Sequence, residues 1–384
     1  MKEEKKRIKL AIIGGGYMAS IYAINAKELG IETHCFSPLT GIKIPNDFDA
    51  IHDIDILKMD DVFSLCKNIG IDGVVATTEL TIAVAAYVAE KMAINGMPFQ
   101  TASVITDKYR NRKAIENINE LLQPKFAEAY SIDEIASLGF NYPIILKPKS
   151  KGGKRGISVV NQPSDISAAF QYAMKESDGL LPLIVEEFID GGMECSVESL
   201  SYHGKNHIIQ VTEKITSGPP HCVELAHHQP ARLKEIERKK VENVIDRALS
   251  AIGLINGPCH TEIKIKNGNI YLIEFNARPG GDHIAYPLTQ LSTGFEYIKG
   301  SILISLNKEP NFSDIKLNKK YAGVVFIAEQ TKQYKQYFDV CEKYSWCYKK
   351  NYVSEVLKPI IHNDGFNTNY FIYCSDKKPD FLEE

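Results

Sequence analysis

The sequence predicts an α/β front region followed by an α+β body, and three observations carry that expectation. The first hundred residues alternate short apolar runs with helical patterns, which means parallel strands returning through crossover helices. Beyond Pro98 the pattern changes to hairpins and longer alternating strands. At 384 residues the chain is long enough for two or three domains around an ample interior.

In the front region, residues 8–13 read as a buried strand, Gly14-Gly15-Gly16 as a turn, 18–29 as a helix and 32–36 as a second strand. A helix over 61–68, a strand over 73–76 and a helix over 81–92 follow. Gly14-x-Gly16-x-x-Ala19 sits where a dinucleotide fingerprint would. The second strand, however, ends Cys35-Phe36-Ser37-Pro38, without the carboxylate a nicotinamide ribose requires. The turn is therefore expected to tighten the chain or touch a substrate. Further on, the pattern predicts a helix over 106–118 and strands over 143–147, 156–160, 183–188, 194–202 and 207–214. A long helix over 233–252, a hairpin over 261–276 and a helix over 294–306 come next. The Lys- and Tyr-rich end carries strands over 321–327 and 369–374.

Hydrophobic residues at 44% and charged residues at 24% exclude disordered and fibrous classes. Lys plus Arg is 45 against 48 for Asp plus Glu, a net charge of −3, which gives no electrostatic case for nucleic acid or an anionic membrane. The apolar runs near Leu10 and Val84 are too short to cross a bilayer, and no signal-peptide core follows the basic start. Eight Cys without a CxxC pair read as reduced thiols, so the expected location is cytoplasmic.

Chemistry concentrates in three places. Lys147 ends an apolar strand, and residues 149–156 form a glycine-rich cationic loop before the next strand. Backbone N–H groups and ammonium charge in such a loop can close over triphosphate oxygens, although a solvated basic hairpin has the same composition. It is not a Walker A loop, because a strand follows it and no Ser or Thr follows Gly153-Lys154. Asp107-Lys108 opens a helix and offers a second lysine. The strand containing Val185 runs into a glycine turn, where the backbone near Glu186 to Phe188 can read an adenine edge and Glu194 can hold ribose hydroxyls; a plain strand–turn–strand is the alternative.

The third place is the hairpin over 261–276. A two-residue loop, Asn267-Gly268, would set Glu262 opposite Ile273 and turn Glu274 to the other face. A three-residue loop over 267–269 sets Glu262 opposite Glu274 and gathers Ile263, Ile265, Tyr271, Ile273 and Phe275 on one face, so burial selects it. The two Cβ atoms then lie roughly 4.5–5.5 Å apart. Like charges so placed call for a divalent cation, and Mg2+ takes carboxylate and amide oxygens; Asn276 continues the row. Two solvated glutamates are the plain alternative. The turn Ala277-Arg278-Pro279-Gly280-Gly281 places a guanidinium beside the pair.

Taken in order over about residues 8–304, these pieces resemble the ATP-grasp superfamily, and within it the carboxylate–amine ligases that include the L-amino acid (dipeptide) ligases. The resemblance implies an ATP-grasp fold preceded by a Rossmann-like parallel-sheet domain. Residues 1–105 would be that front domain, 106–190 a lid subdomain with its linking helix, 191–310 the catalytic subdomain and 311–384 a closing subdomain. It implies ATP and Mg2+ or Mn2+ as cofactors. Lys108, Lys147, Ser150, Gly152, Gly153 and Gly156 would meet the phosphates, Glu186, Glu187, Phe188 and Ile189 the adenine, and Glu194 the ribose. Glu262, Glu274 and Asn276 would hold the metal, and Arg278 would stabilise the transferred phosphoryl group. The loop over 216–231, with Glu224-x-x-His227 followed by Pro230-Ala231, is similar to the substrate loop of the dipeptide ligases and adds Glu224 and His227; His228 reads as a surface histidine. No HExxH pattern supports a zinc site.

The implied reaction activates a carboxylate as an acyl phosphate and lets an amine displace phosphate, forming an amide or peptide bond between amino acids. The expected partners are small carboxylates and amines, and a second copy in a homodimer, with no nucleic acid and no membrane. Competing readings are a carboxylase that activates bicarbonate as carboxyphosphate, a non-catalytic nucleotide-binding regulator, and a nicotinamide oxidoreductase.

Overall fold

A computed structural model describes residues 7–149, 155–219, 222–317, 319–362 and 365–382. β1 (Lys9–Ile13), β2 (Glu32–Phe36), β3 (Ala50–His52) and β4 (Gly73–Ala76) form a parallel sheet in the order β3-β2-β1-β4. Helices α1 (Tyr17–Glu28) and α2 (Met59–Ile69) lie in its crossovers, and α3 (Glu79–Met92) follows β4. Leu10, Ala11, Ile12 and Ile13 are all inaccessible, as a parallel strand covered on both faces requires. Gly14 has a φ of +105° and would drive a Cβ into the Thr77 side chain, so packing explains this glycine without a ligand. The three-residue β3 is too short to be legible in the sequence.

After α4 (Phe99–Ile105), the Asp107 carboxylate accepts the N–H groups of Tyr109 and Arg110, each at 3.1 Å, and starts α5 (Lys108–Ala114). The helix predicted over 106–118 is therefore shorter at both ends. β5 (Leu121–Leu122) leaves for the main sheet. β6 (Phe126–Ala129), α6 (Ile132–Ser137), β7 (Ile144–Pro148), β8 (Ser158–Val160), α7 (Ile166–Glu176) and β9 (Leu183–Glu187) build a small antiparallel sheet ordered β6-β9-β7-β8 with its own core.

Among the described residues the main sheet has nine strands. β10 (Met193–Tyr202), β11 (Lys205–Thr216) and β12 (Glu224–Gln229) precede α8 (Glu235–Ala251), and β13 (Gly257–Lys266) with β14 (Asn269–Asn276) follows it. β15 (Tyr321–Ile327), β16 (Cys347–Asn351) and β17 (Asn369–Ser375) complete the order β16-β17-β15-β12-β11-β10-β13-β14-β5. One apolar core joins the two regions, with Val74, Ala76 and Ile82 in the same cluster as Ile263, Leu272 and Phe275.

Two local expectations are corrected. Much of the segment read as a loop over 216–231 is the internal strand β12, paired with β11 on one side and β15 on the other. Its polar letters hid it, because His227 and Gln229 are buried among strands. In the hairpin, Glu262 does stand opposite Glu274, but by another device. The loop is the two-residue Asn267-Gly268, with φ of +52° and +74°, and Lys266 pairs Asn269. Register then shifts between Glu262 and Ile263, so that Ile263 pairs Leu272 and Ile273 is the extra residue of a β-bulge. The core face accordingly carries Ile263, Ile270, Leu272 and Phe275, while Tyr271 and Ile273 leave it. No helix among the described residues is long and apolar enough to cross a membrane, and all eight Cys are free thiols.

Candidate active site

A cleft of about 830 Å³ opens between the small sheet, the main sheet and the start of α3. Its floor is written by register: Ser196 on β10 faces Glu262 on β13, which faces Glu274 on β14, while Glu194 faces Lys214 on β11. Lys108, Lys147, Glu186, Glu187, Phe188, Ile189, Glu194, Glu224, Glu262, Glu274, Asn276 and Arg278 all line it. Gly156 does not. Its φ of +72° and tight approach to Pro148 make it a turn residue leading into β8. Ser150, Gly152 and Gly153 lie outside the described residues.

Positive charge arrives from helix and strand. Lys108, first residue of α5, sets its Nζ 2.9 Å from Glu274 Oε1. Lys147 near the end of β7 donates to Glu186 Oε2 at 2.7 Å, and the other Glu186 oxygen takes Arg112 Nε. Burial alone would raise the Glu186 carboxyl, but Arg112 and Lys147 outweigh it and hold it down at about 2. Burial lowers the Lys147 ammonium, with Arg112 and Lys108 adding to that and Glu186 opposing. Glu186 is thus the counter-ion of the cationic wall. Along the same edge, the N–H groups of Glu187 and Phe188 are spent on the carbonyls of Lys125 and Pro143, both at 3.0 Å. Lys264 lies 5.4 Å from the Phe188 ring centroid and donates to the Ile189 carbonyl at 2.9 Å.

Lys214 sits between Glu224 Oε1 at 2.8 Å and Glu262 Oε1 at 3.1 Å, and these carboxylates overcome burial to keep it protonated. His260 lies two residues before Glu262 on the same face of β13. Its Nδ1 is 2.6 Å from Glu198 Oε1 and its Nε2 is 3.3 Å from Glu262 Oε1. Burial would lower this imidazole, but Glu198 and then Glu262 raise it to about 9. Each glutamate of the pair therefore has its own cation, which is why two carboxylates can stand abreast. With Asn276 they form an all-oxygen donor set that suits Mg2+ or Mn2+. Among the described residues no group of three His, Cys, Asp or Glu is arranged to hold a metal.

Arg278 pairs with Glu79 across 199 residues of sequence and donates to the Pro279 carbonyl at 2.7 Å. Asp282 lines the same end of the cleft at a φ of +47°. Burial and then Glu224 push its carboxyl up to about 7, against Lys214, Arg278 and His260. His227 is not on the wall. It is fully buried behind Glu224, with Nε2 3.3 Å from Glu224 Oε2, and burial lowers it to about 3, so it is neutral. His228, read as a surface residue, is instead hydrogen-bonded to the Tyr373 hydroxyl at 3.0 Å.

Sequence reasoning missed Glu79, Arg112, Lys214, His260 and Asp282. Signals existed for three of them. Arg112 falls one helical turn after Lys108, His260 shares the face of Glu262, and Lys214 falls opposite Glu194 once β10 and β11 are paired.

Comparisons with known proteins bear on the fold and the family. Residues 140–286 match the ATP-grasp domain family. The chain is 25% identical over 228 residues to the carbamoyl phosphate synthase large chain of Thermotoga petrophila, covering 58% of this chain and 20% of that protein. It thus spans about a fifth of the length of that relative. It is 24% identical over 298 residues to the formate-dependent phosphoribosylglycinamide formyltransferase of Prochlorococcus marinus, covering 75% and 74% of the two chains. Among solved structures, an L-amino acid ligase from Bacillus licheniformis superposes with a TM-score of 0.81 at 22% identity, covering 99% of this chain and 96% of the other. A phosphoribosylglycinamide synthetase from Anaerococcus prevotii gives 0.75 at 20% identity over 98% and 96%.

Proposed function

We propose that this chain, whose residues 140–286 match the ATP-grasp domain family, is an ATP-dependent carboxylate–amine ligase joining amino acids through an acyl phosphate. The observation that carries this reading is the Glu79–Arg278 pair at the end of a cleft whose floor presents Glu262 beside Glu274. A guanidinium and a carboxylate are the two groups that recognise the carboxylate and ammonium of an amino acid, and this pair brings both to the cleft.

Activation is needed because a carboxylate repels nucleophiles and has oxide as its leaving group. A substrate carboxylate oxygen attacks the γ-phosphorus of ATP, the bond to ADP breaks, and an acyl phosphate forms. An amine then attacks the acyl carbon, and phosphate leaves with the former carboxylate oxygen. Glu262, Glu274 and Asn276 would hold Mg2+ or Mn2+, which when bound neutralises charge on the outer phosphates. Lys108 and Lys147 hold the triphosphate as point charges, and Glu186 keeps Lys147 in place. Phe188 and Ile189 border the adenine, and Glu194 faces the ribose. Arg278 aligns the carboxylate and stabilises charge on the group in transfer. Glu224 holds Lys214 at the acceptor end, with His227 packed behind it. Asp282, near neutrality and unbonded among the described residues, accepts the proton that the attacking ammonium must lose.

The test is phosphate release from Mg·ATP across all pairs of amino acids, with products identified by mass. Release that requires an amino acid pair and yields a dipeptide supports the reading. Release with bicarbonate and no amino acid would replace it with the carboxylase, the second reading favoured by the relatives that use one-carbon units.

A further inference from the structure

The bulge at Ile273 needs something to hold it, because a two-residue turn otherwise continues in regular register and leaves Glu274 facing the core. The turn itself cannot do so, since Ile273 lies five residues beyond Gly268. The neighbouring strand cannot either. β5 pairs β14 only through Ile270–Leu121 and Tyr271–Leu122 and then ends, leaving the outer edge of β14 uncovered where the bulge begins.

Arg112 covers that edge. Its Nη1 donates to the Leu272 carbonyl at 3.0 Å and its Nη2 to the Ile273 carbonyl at 3.1 Å. Successive carbonyls of a regular strand point to opposite edges, so a single guanidinium reaching both is a geometry that the bulge creates. The remaining Nε–H goes to Glu186, whose other oxygen holds Lys147. Arg112 is 2% exposed, so a carbonyl it abandoned would have little access to water. It lies on α5 one turn beyond Lys108, whose ammonium takes the Glu274 side chain. One helix face therefore holds the backbone of the bulge with one cation and the carboxylate that follows it with the other.

We propose that Arg112 is a positioning residue: it latches the Ile273 bulge and thereby keeps Glu274 opposite Glu262, tying the metal-binding pair to the Glu186–Lys147 wall. This rests on the reading of Glu262 and Glu274 as metal ligands, but the latch itself does not. A lysine at 112 keeps the charge, but its three donors sit on one nitrogen, whereas Glu186 and the two carbonyls are met by three separate nitrogens of a rigid fork.

Hydrogen exchange on the ligand-free full chain tests the latch. In Arg112→Lys, amides of the β13–β14 hairpin should exchange about tenfold faster, with β1 and β4 unchanged. ADP titrations with and without Mn2+ test the consequence. The gain in ADP affinity that Mn2+ gives the wild type should shrink about tenfold in the variant, with affinity for ADP alone retained, as outer-shell losses do at metal sites. Should Arg112→Lys not fold, Arg112→Gln, able to donate to one carbonyl, takes its place in both measurements. Unchanged hairpin exchange overturns the proposal, as does an equal loss of ADP affinity with and without Mn2+, which would mean that Arg112 acts through Glu186 alone. A wild type that binds no ADP would instead sink the ligase reading, and exchange would then decide for or against the latch by itself.

Discussion

Arg278, in the turn after β14, is ion-paired with Glu79, the first residue of α3 in the front domain. The Thr81 hydroxyl accepts the Thr78 N–H at 3.0 Å and thereby shapes the helix start from which Glu79 projects. Arg278 overcomes burial to hold Glu79 below the usual carboxylate range. The parallel sheet is therefore a supplier of site chemistry as well as a support.

Glu79→Gln should leave the phosphate-binding wall intact and weaken only the amino acid end. The expected result is a rise in KM for the amino acid of about tenfold to a hundredfold, the range for a lost hydrogen bond to a charged group, with ADP affinity unchanged. Steady-state kinetics beside ADP titration separates the two. An unchanged KM would remove Glu79 from substrate recognition.

Glu274→Gln should end turnover without unfolding the chain. Lys108 is buried beside Glu274, but glutamine keeps an amide oxygen that can accept from the Lys108 ammonium, so thermal unfolding should move by only a few degrees. Loss of one charged ligand from the pair should lower phosphate release by about a thousandfold. Undiminished ADP production would take Glu274 out of the metal site.

Lys147→Ala should cost both binding and stability. The ammonium is buried against Glu186, and its removal leaves that carboxylate with Arg112 alone. Because one partner survives, the cost should fall below the range for breaking an isolated buried pair, at roughly 1–3 kcal/mol in denaturant titration, alongside weaker ADP binding. Unchanged ADP affinity would dismiss the phosphate role of Lys147.

Much of the site was legible because strand periodicity is local. Glu262, Glu274 and Asn276 follow from one hairpin, and Lys147 from the end of one apolar strand. The hairpin also shows the limit. Its pairing was inferred through a three-residue loop, whereas a tight turn plus a bulge produces the same opposition, and only Arg112, 160 residues upstream, distinguishes the two. Glu79, Lys214 and Asp282 depend on which elements meet in space. β12 reads as loop because its letters are polar, whereas what makes it a strand is the backbone pairing on both edges, a fact no local pattern contains.

Asp282 gives the pH dependence. Its folded carboxyl, at about 7, lies above the unfolded value of about 3.9. Between these values the folded chain binds the proton that the unfolded chain has released, so stability contributed by this group is full below about pH 4 and is lost as pH rises toward 7. Asp282→Asn removes that loss, and its thermal midpoint should gain on the wild type between pH 4 and 7 and keep the gain above. Turnover should move the other way. As proton acceptor Asp282 must be ionised, so the wild-type rate should climb through about pH 7, and Asp282→Asn should lack that limb while still binding ADP. A rate that climbs through the same pH in Asp282→Asn would assign the proton to another group, because the asparagine has nothing to ionise there.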